Sequence, residues 1–301
     1  LDDNMVLFAS DFGKGSLTNS GYARIVKLWK RGTPISSAKT IYEGKVEDVL
    51  VSPATFHTQD GDFALAIRAV SFFENEYYAV DAAKGTARKL PLPLSADVKG
   101  MINGAWVTTL RKDFASADGD KISKGSLVLF RNDGSTQVLY TPEARASIES
   151  VAVGRDAIYA AITDNVIGSV HAFRHGPSGW VDRGVILPRG GAVDIVSVND
   201  FGPEAMFSFQ SYLTPPTVFF TNGEEQPRPI KSLPARFDAS GLTTEQFEAT
   251  SKDGTKIPYF VTRPKNLNGP APTVLYGYGG FEVSLTPGYS ANFGRQWLTH
   301  G

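Results

Sequence analysis

The chain has 301 residues, 42% of them hydrophobic, enough for one large all-β domain or for two domains with a substantial core. Its 30 basic and 31 acidic residues leave a formal charge of -1, so no long-range field favours nucleic acid, anionic lipid or an acidic substrate. Cysteine is absent, which excludes disulfides, thiolate metal sites and a cysteine nucleophile.

The first residues, LDDNMVLFAS, lack the basic, apolar and small-residue order of a signal peptide, and no apolar run reaches the ~18 residues needed to span a bilayer. Neither feature chooses between cytoplasm and periplasm. Position 1 is not methionine, so the chain is expected to begin inside a longer protein.

From residue 5 to about 230 the dominant signal is short β-rich runs between Gly, Asp, Asn and Pro turns: MVLFAS, RIVKLWKRG, FALAIRAVSFF, EYYAVD, SLVLFRNDG, SVAVG, AIYAAIT, SVHAFRHG, AMFSFQS and TVFFTNG. Comparable units recur, each closing on a last strand near Ile41, Leu90, Val138, Val185 and Ile230. Those positions lie roughly 45 to 49 residues apart, the period of four-stranded propeller blades. Five blades, or four and a part, fit. A β-sandwich with irregular loops shares the same run of strands and turns, and the period is what favours the propeller.

After residue 240 the character changes. FEATSKDGTKIPYFVTRP reads as two strands joined at Asp253 and Gly254, an Asp-Gly pair that supplies the positive backbone angles of a tight hairpin. The nearly all-apolar TVLYGYGG then reads as a strand buried on both faces of a parallel sheet. Ser290 can cap a helix in which Phe293, Trp297 and Leu298 share a face, with Gly301 suited to its end. Strand, glycine loop and helix together predict the opening of an α/β unit. The expected division is a partial β-propeller over 1–240 and the N-terminal portion of an α/β-hydrolase domain over 241–301.

Glycines 277, 279 and 280 are expected to let the backbone turn sharply and approach a ligand where a Cβ would clash. Tyr278 would then sit on a rigid rim with its hydroxyl free to donate to a carbonyl oxygen on which negative charge develops. On these residues alone, a plain glycine turn with tyrosine as filler is the stronger reading. A phosphate loop is weaker still, because no Lys-Ser or Lys-Thr pair follows the glycines.

The segment from Phe247 to Gly301, SKDGTKIPYFVTRP followed by PTVLYGYGGFEVSLTPGYS, closely resembles the prolyl oligopeptidase family of serine peptidases, in which the same order opens the catalytic α/β-hydrolase domain. Upstream, SGYARIVKLWKRGTP is similar to the propeller of that family through weaker motifs. The resemblance implies hydrolysis of short peptides on the carboxyl side of proline, with the propeller acting as a lid that admits short, unfolded peptides. It implies that Tyr278 is the oxyanion tyrosine, that Phe281 lines the proline pocket, and that Gly279 and Gly280 keep the approach open. It implies no cofactor and no metal, a proline-containing peptide as partner, no nucleic acid or membrane, and a monomer as the full enzyme.

The chain departs from that pattern. No Gly-x-Ser-x-Gly elbow occurs: GKGSL, HGPSGW and DASGL each lack a flanking glycine at the right spacing. His57, His171, His175 and His300 do not match the family base, and the i, i+4 pair His171 and His175 reads as solvated surface histidines in a strand and turn. The chain alone is therefore expected to lack the nucleophile, acid and base, and to be inactive. Two rivals remain: a non-catalytic propeller that binds a partner through its face, and a related oligopeptidase that cleaves after basic residues.

Overall fold

The computed structural model describes residues 1–280 and 284–300, and the strands fall into sheets that are local in sequence. β1 (Met5–Ala9), β2 (Ile25–Lys30) and β3 (Lys39–Glu43) form a three-stranded antiparallel sheet. β4 (Leu50–Thr58), β5 (Gly61–Ser71), β6 (Glu74–Asp81) and β7 (Thr86–Lys89) form a four-stranded sheet in that order. Next come β8 (Ala96–Ile102) and β9 (Ala105–Leu110), then a small separate hairpin of β10 (Phe114–Ala115) and β11 (Lys121–Ile122). The chain returns through β12 (Leu127–Phe130), paired with β9, and β13 (Thr136–Tyr140) at the edge. Two further four-stranded sheets run in chain order: β14 (Ala146–Val153), β15 (Ile158–Asp164), β16 (Ile167–Gly176) and β17 (Gly179–Val185), then β18 (Ala192–Val198), β19 (Ala205–Gln210), β20 (Thr217–Thr221) and β21 (Arg228–Ser232). Ile41, Val138, Val185 and Ile230 fall in β3, β13, β17 and β21, and Leu90 directly follows β7, so each expected terminal strand is the last of its sheet.

Two compact units result, Leu1–Thr141 and Pro142–Gly301. In both, the middle strands are apolar on both faces: β12 is buried at every position, and β15 from Ile158 to Ile162. Burial of each such Leu, Ile or Phe side chain stabilises by about 1.5–3 kcal/mol. The last strands read oppositely. β21, RPIKS, is exposed throughout, and its Pro229, Arg228 and Lys231 deter pairing with another chain along that edge.

The first unit also holds a polar network on the β4–β7 sheet and the loop that leads into it. Arg68 on β5 donates through Nε and Nη2 to the two oxygens of Asp48, each at 2.8 Å, and through Nη1 to Glu76 Oε2 at 2.8 Å. Glu76 further accepts from Tyr78 Oη at 2.8 Å and from Lys89. Burial pushes the Glu76 carboxyl up, but the bonds from Lys89, Tyr78 and Arg68 outweigh it and hold the pKa at about 2. Gly44 is needed for the close approach here, since a Cβ would stand 2.5 Å from Val51 Cγ2 and 2.8 Å from Asp48 Oδ2.

Beyond the sheets, β22 (Leu242–Thr250) and β23 (Lys256–Pro264) form the expected hairpin. Its turn differs in detail. Gly254 alone takes a positive φ, 87°, while Asp253 works through its side chain, accepting the Thr255 N–H at 3.0 Å and the Ser251 hydroxyl at 2.5 Å. Those two partners, Ser251 first, hold the Asp253 carboxyl at about 2. Five residues between the strands leave room for this side-chain turn, so no second positive φ is required.

The strand expected over TVLYGYGG is not formed: residues 272–279 carry no strand and are exposed, Leu275 at 94%. A parallel strand needs a neighbour to satisfy its N–H and C=O groups, and among the described residues none pairs with this segment. The helix is formed, as α1 (Ala291–Gln296), with Ser290 Oγ accepting the Phe293 N–H at 3.3 Å. Its buried position is Gly294, not the expected face of Phe293 and Trp297, both of which are exposed. Gly301 lies outside the described residues.

Candidate functional site

Tyr278, Gly279 and Gly280 lie in the connection between β23 and α1, and Phe281, the fourth expected site residue, lies outside the described residues. Tyr278 is half exposed. The glycines do not use their conformational freedom for a sharp turn. Gly277, Gly279 and Gly280 all avoid the left-handed region, and a Cβ on Gly277 or Gly279 would meet nothing within 4 Å. Only Gly280 makes a close approach: a Cβ there would stand 3.1 Å from the Tyr278 hydroxyl and 3.3 Å from its Cζ. The bare residue therefore clears the space that the tyrosine ring and its donor occupy.

The connection is anchored where it meets α1. The Tyr289 ring stacks on Phe237, with centroids 5.2 Å apart and planes 5° from parallel. Its hydroxyl accepts the Arg236 N–H at 2.8 Å, and its own N–H donates to Gln210 Oε1 at 3.3 Å. At the other end, β23 is fully paired to β22, and Lys265 N–H donates to Gly241 O at 2.9 Å. The hairpin is in turn fastened to the β15–β16 turn: Gln246 Nε2 donates to Asn165 O at 2.6 Å, and Arg145 bridges Asn165 Oδ1 at 3.2 Å and the Glu248 carboxylate. The Arg145 hydrogen bond, against slight desolvation, lowers the Glu248 carboxyl below the usual range. Phe237 lies outside every motif the sequence offers, and Tyr289, though inside PTVLYGYGGFEVSLTPGYS, carries no signal of its own; one aromatic in a linker and one ahead of a helix show no periodicity.

The serines and histidines weighed from sequence lie elsewhere. Ser16 is buried in a tight turn, 2.7 Å from Asp11 Oδ1 and accepting the Phe12 N–H at 2.8 Å, while the Ser240 N–H donates to Asp238. Ser178 occupies the β16–β17 turn. The histidines are more engaged than a solvated surface implies. His171 Nδ1 stands 2.7 Å from Asp182 Oδ2 and its ring stacks near Phe173, His175 meets the Trp180 ring edge-on, and His57 Nδ1 lies 2.7 Å from Asp62 Oδ1. Pairing of β16 with β17 sets Trp180 directly across from His175 and Asp182 diagonal to His171, pairing of β4 with β5 sets Asp62 across from His57, and His171 and His175 do not converge.

Residues 1–231 match the family described as prolyl oligopeptidase, N-terminal beta-propeller domain. Over its whole length the chain is 32% identical to an uncharacterized peptidase of Sinorhizobium fredii, of which it covers 44%. Over 127 residues, 41% of this chain and 18% of the relative, it is 34% identical to a prolyl endopeptidase of Elizabethkingia miricola. The solved structure of a post-proline cleaving enzyme from Rickettsia typhi aligns with a TM-score of 0.84 at 26% identity, covering 99% of this chain and 45% of that one. The chain thus spans less than half the length of these relatives.

Proposed function

Because the chain belongs to the prolyl oligopeptidase family, as the match of its first 231 residues to that family's N-terminal β-propeller domain establishes, we propose that it is part of a serine-type oligopeptidase hydrolysing short peptides after proline. In this reading the sheets from β1 to β21 are five propeller blades, residues 1–240 form the gating domain, and residues 241–301 open the α/β-hydrolase domain. The observation that carries it is the likeness along 99% of the chain to a solved post-proline cleaving enzyme.

In this reading the nucleophilic serine and the histidine and aspartate that serve it are supplied by the full-length polypeptide. The serine oxygen attacks proline's own carbonyl carbon, its proton passes to the histidine, and the carbonyl oxygen becomes an oxyanion. Tyr278 donates its hydroxyl to that oxygen, beside a backbone N–H of the residue after the nucleophile. Phe281 offers a flat ring to the pyrrolidine, and Gly279 and Gly280 keep the approach clear. Collapse of the tetrahedral intermediate expels the amine, which takes the proton from the histidine, and water then releases the acyl group.

The test is made on the full-length polypeptide with matched reporter peptides ending in proline and in arginine, together with a fluorophosphonate and intact-mass analysis. One adduct and preferential cleavage after proline support the reading. Preference for arginine overturns the specificity, and no adduct with no turnover favours a binding module. Tyr278→Phe should lower kcat by roughly 10²–10³ with little change in KM, the loss typical of one oxyanion donor; undiminished turnover would remove Tyr278 from the chemistry.

A further inference from the structure

We propose that a pocket in the first unit binds the C-terminal end of a short peptide, taking its carboxylate on two lysines and its last, apolar side chain on the lining beside them. The pocket, of about 300 Å³, lies between the first sheet and the β6–β7 turn. The sheet contributes Met5, Leu28, Lys30 and Lys39, and the β2–β3 connection contributes Thr33 and Ser37. Ala83 and Gly85 of the turn close the other side. Register fixes the face. Met5 pairs with Lys30 and Leu28 with Lys39, and Leu28 and Lys30 are alternate residues of β2, so these four side chains project on one side of the sheet.

Among the described residues Lys30 and Lys39 have no carboxylate partner, and no acidic side chain lines the pocket. The neighbouring Lys84 is instead spent on Asp81 at 2.9 Å. Lys39 Nζ donates to Lys84 O at 3.1 Å and keeps its remaining N–H donors for a ligand; Gly85 leaves it room, since a Cβ there would stand 2.8 Å from Lys39 Cε. Thr33 Oγ1 donates to Lys30 O at 2.7 Å and Ser37 Oγ to Pro34 O at 2.7 Å, so both hydroxyls have used their protons and offer lone pairs. A carboxylate suits the lysines, an amide N–H suits the hydroxyl oxygens, and an apolar side chain suits Met5 and the buried Leu28. The last residue of a peptide carries all three. Inorganic phosphate offers only the first, and a free fatty acid lacks the second. At about 300 Å³ the pocket is at the small end of ligand sites, which suits a dipeptide-sized ligand.

Titration calorimetry of the full-length polypeptide tests this, after treatment with a fluorophosphonate so that no reactive serine turns the probe over. N-acetyl-alanyl-leucine should bind with a Kd of about 1 mM at low salt, and its C-terminal amide about tenfold more weakly. Hexanoate and inorganic phosphate should both bind more weakly than the peptide acid, and salt at about 0.5 M should weaken the acid severalfold. Lys30→Gln and Lys39→Gln, both at exposed positions, should each weaken the acid about fivefold with unchanged unfolding midpoints, and the double variant about 20-fold. Ala83→Phe, which fills the pocket from the turn, should abolish binding. Equal binding of acid and amide, phosphate or hexanoate binding as tightly as the peptide, or no binding of the acid at about 10 mM overturns the inference. Binding that the double lysine variant leaves intact lies elsewhere and overturns it too. The readout is binding, so it is indifferent to whether turnover follows proline, arginine or neither.

Discussion

Replacing Arg68 with methionine leaves two carboxylates in the first unit without the cation that joins them. Arg68 supplies three bonds of 2.8 Å, two to Asp48 and one to Glu76, and the Asp48 side chain is 3% exposed. Removing one partner of a buried ion pair costs about 3–5 kcal/mol. Asp48 keeps the Lys45 N–H at 2.6 Å, and Glu76 keeps Lys89 and Tyr78, so the lower end, about 3 kcal/mol, is expected at pH 7. The sign of the pH dependence follows from the carboxyls. Glu76 is held at about 2 against an ordinary 4.5, so its contribution is present above pH 4.5 and is lost as pH falls toward 2. Asp48 is lowered too: burial pushes it up, and the Arg68 bonds together with the Lys45 N–H outweigh it. Without Arg68, burial is opposed by Lys45 alone and Asp48 takes up its proton at higher pH than in the parent, so the variant escapes part of its penalty on acidification. Urea unfolding followed by tryptophan fluorescence, at pH 7 and at about pH 3, should show the gap between parent and variant shrinking by half or more. A gap below about 1 kcal/mol at pH 7, or one that does not change on acidification, would refute the reasoning.

Two further perturbations probe the second unit. The β15–β16 turn uses positive φ at Asn165 (46°) and Val166 (70°), and a β-branched residue is strained there, so Val166→Gly should stabilise by about 1 kcal/mol and raise the Tm; a lowered Tm would contradict it. Gly168→Ala places a Cβ 2.8 Å from the backbone nitrogen of Val193, a contact no rotamer can relieve, and should destabilise by about 1–3 kcal/mol in urea titrations; an unchanged midpoint would mean that β18 yields.

The sheets were legible because their signals are local. Apolar runs such as LVLF and IYAAIT, bounded by turns, place β12 and β15, and the recurrence of a last, polar strand gives the grouping into sheets. The site was legible only in part. The Tyr278 motif stands out as letters, but the strand expected to carry it depends on pairing partners, and pairing is not written in the strand itself. The space beside Gly280 was hidden for a related reason: a Cβ there would crowd the Tyr278 hydroxyl, which no φ preference reveals. The stacking of Phe237 on Tyr289 was invisible because it joins segments far apart in the chain and leaves no periodicity in either.

From β1 to β21, every sheet is closed by consecutive strands, interrupted once by the β10–β11 hairpin. Such an arrangement has low contact order within each sheet, and pairing between near neighbours closes with little loop entropy. During synthesis, β1 to β3 can assemble before β4 has emerged, and each later sheet can form once its own strands are out. The order of strands along the polypeptide is thus also a timetable. A slow codon or a premature stop between sheets would leave finished sheets behind it, bounded by edges such as β7 whose Arg88 and Lys89 already discourage wrong partners.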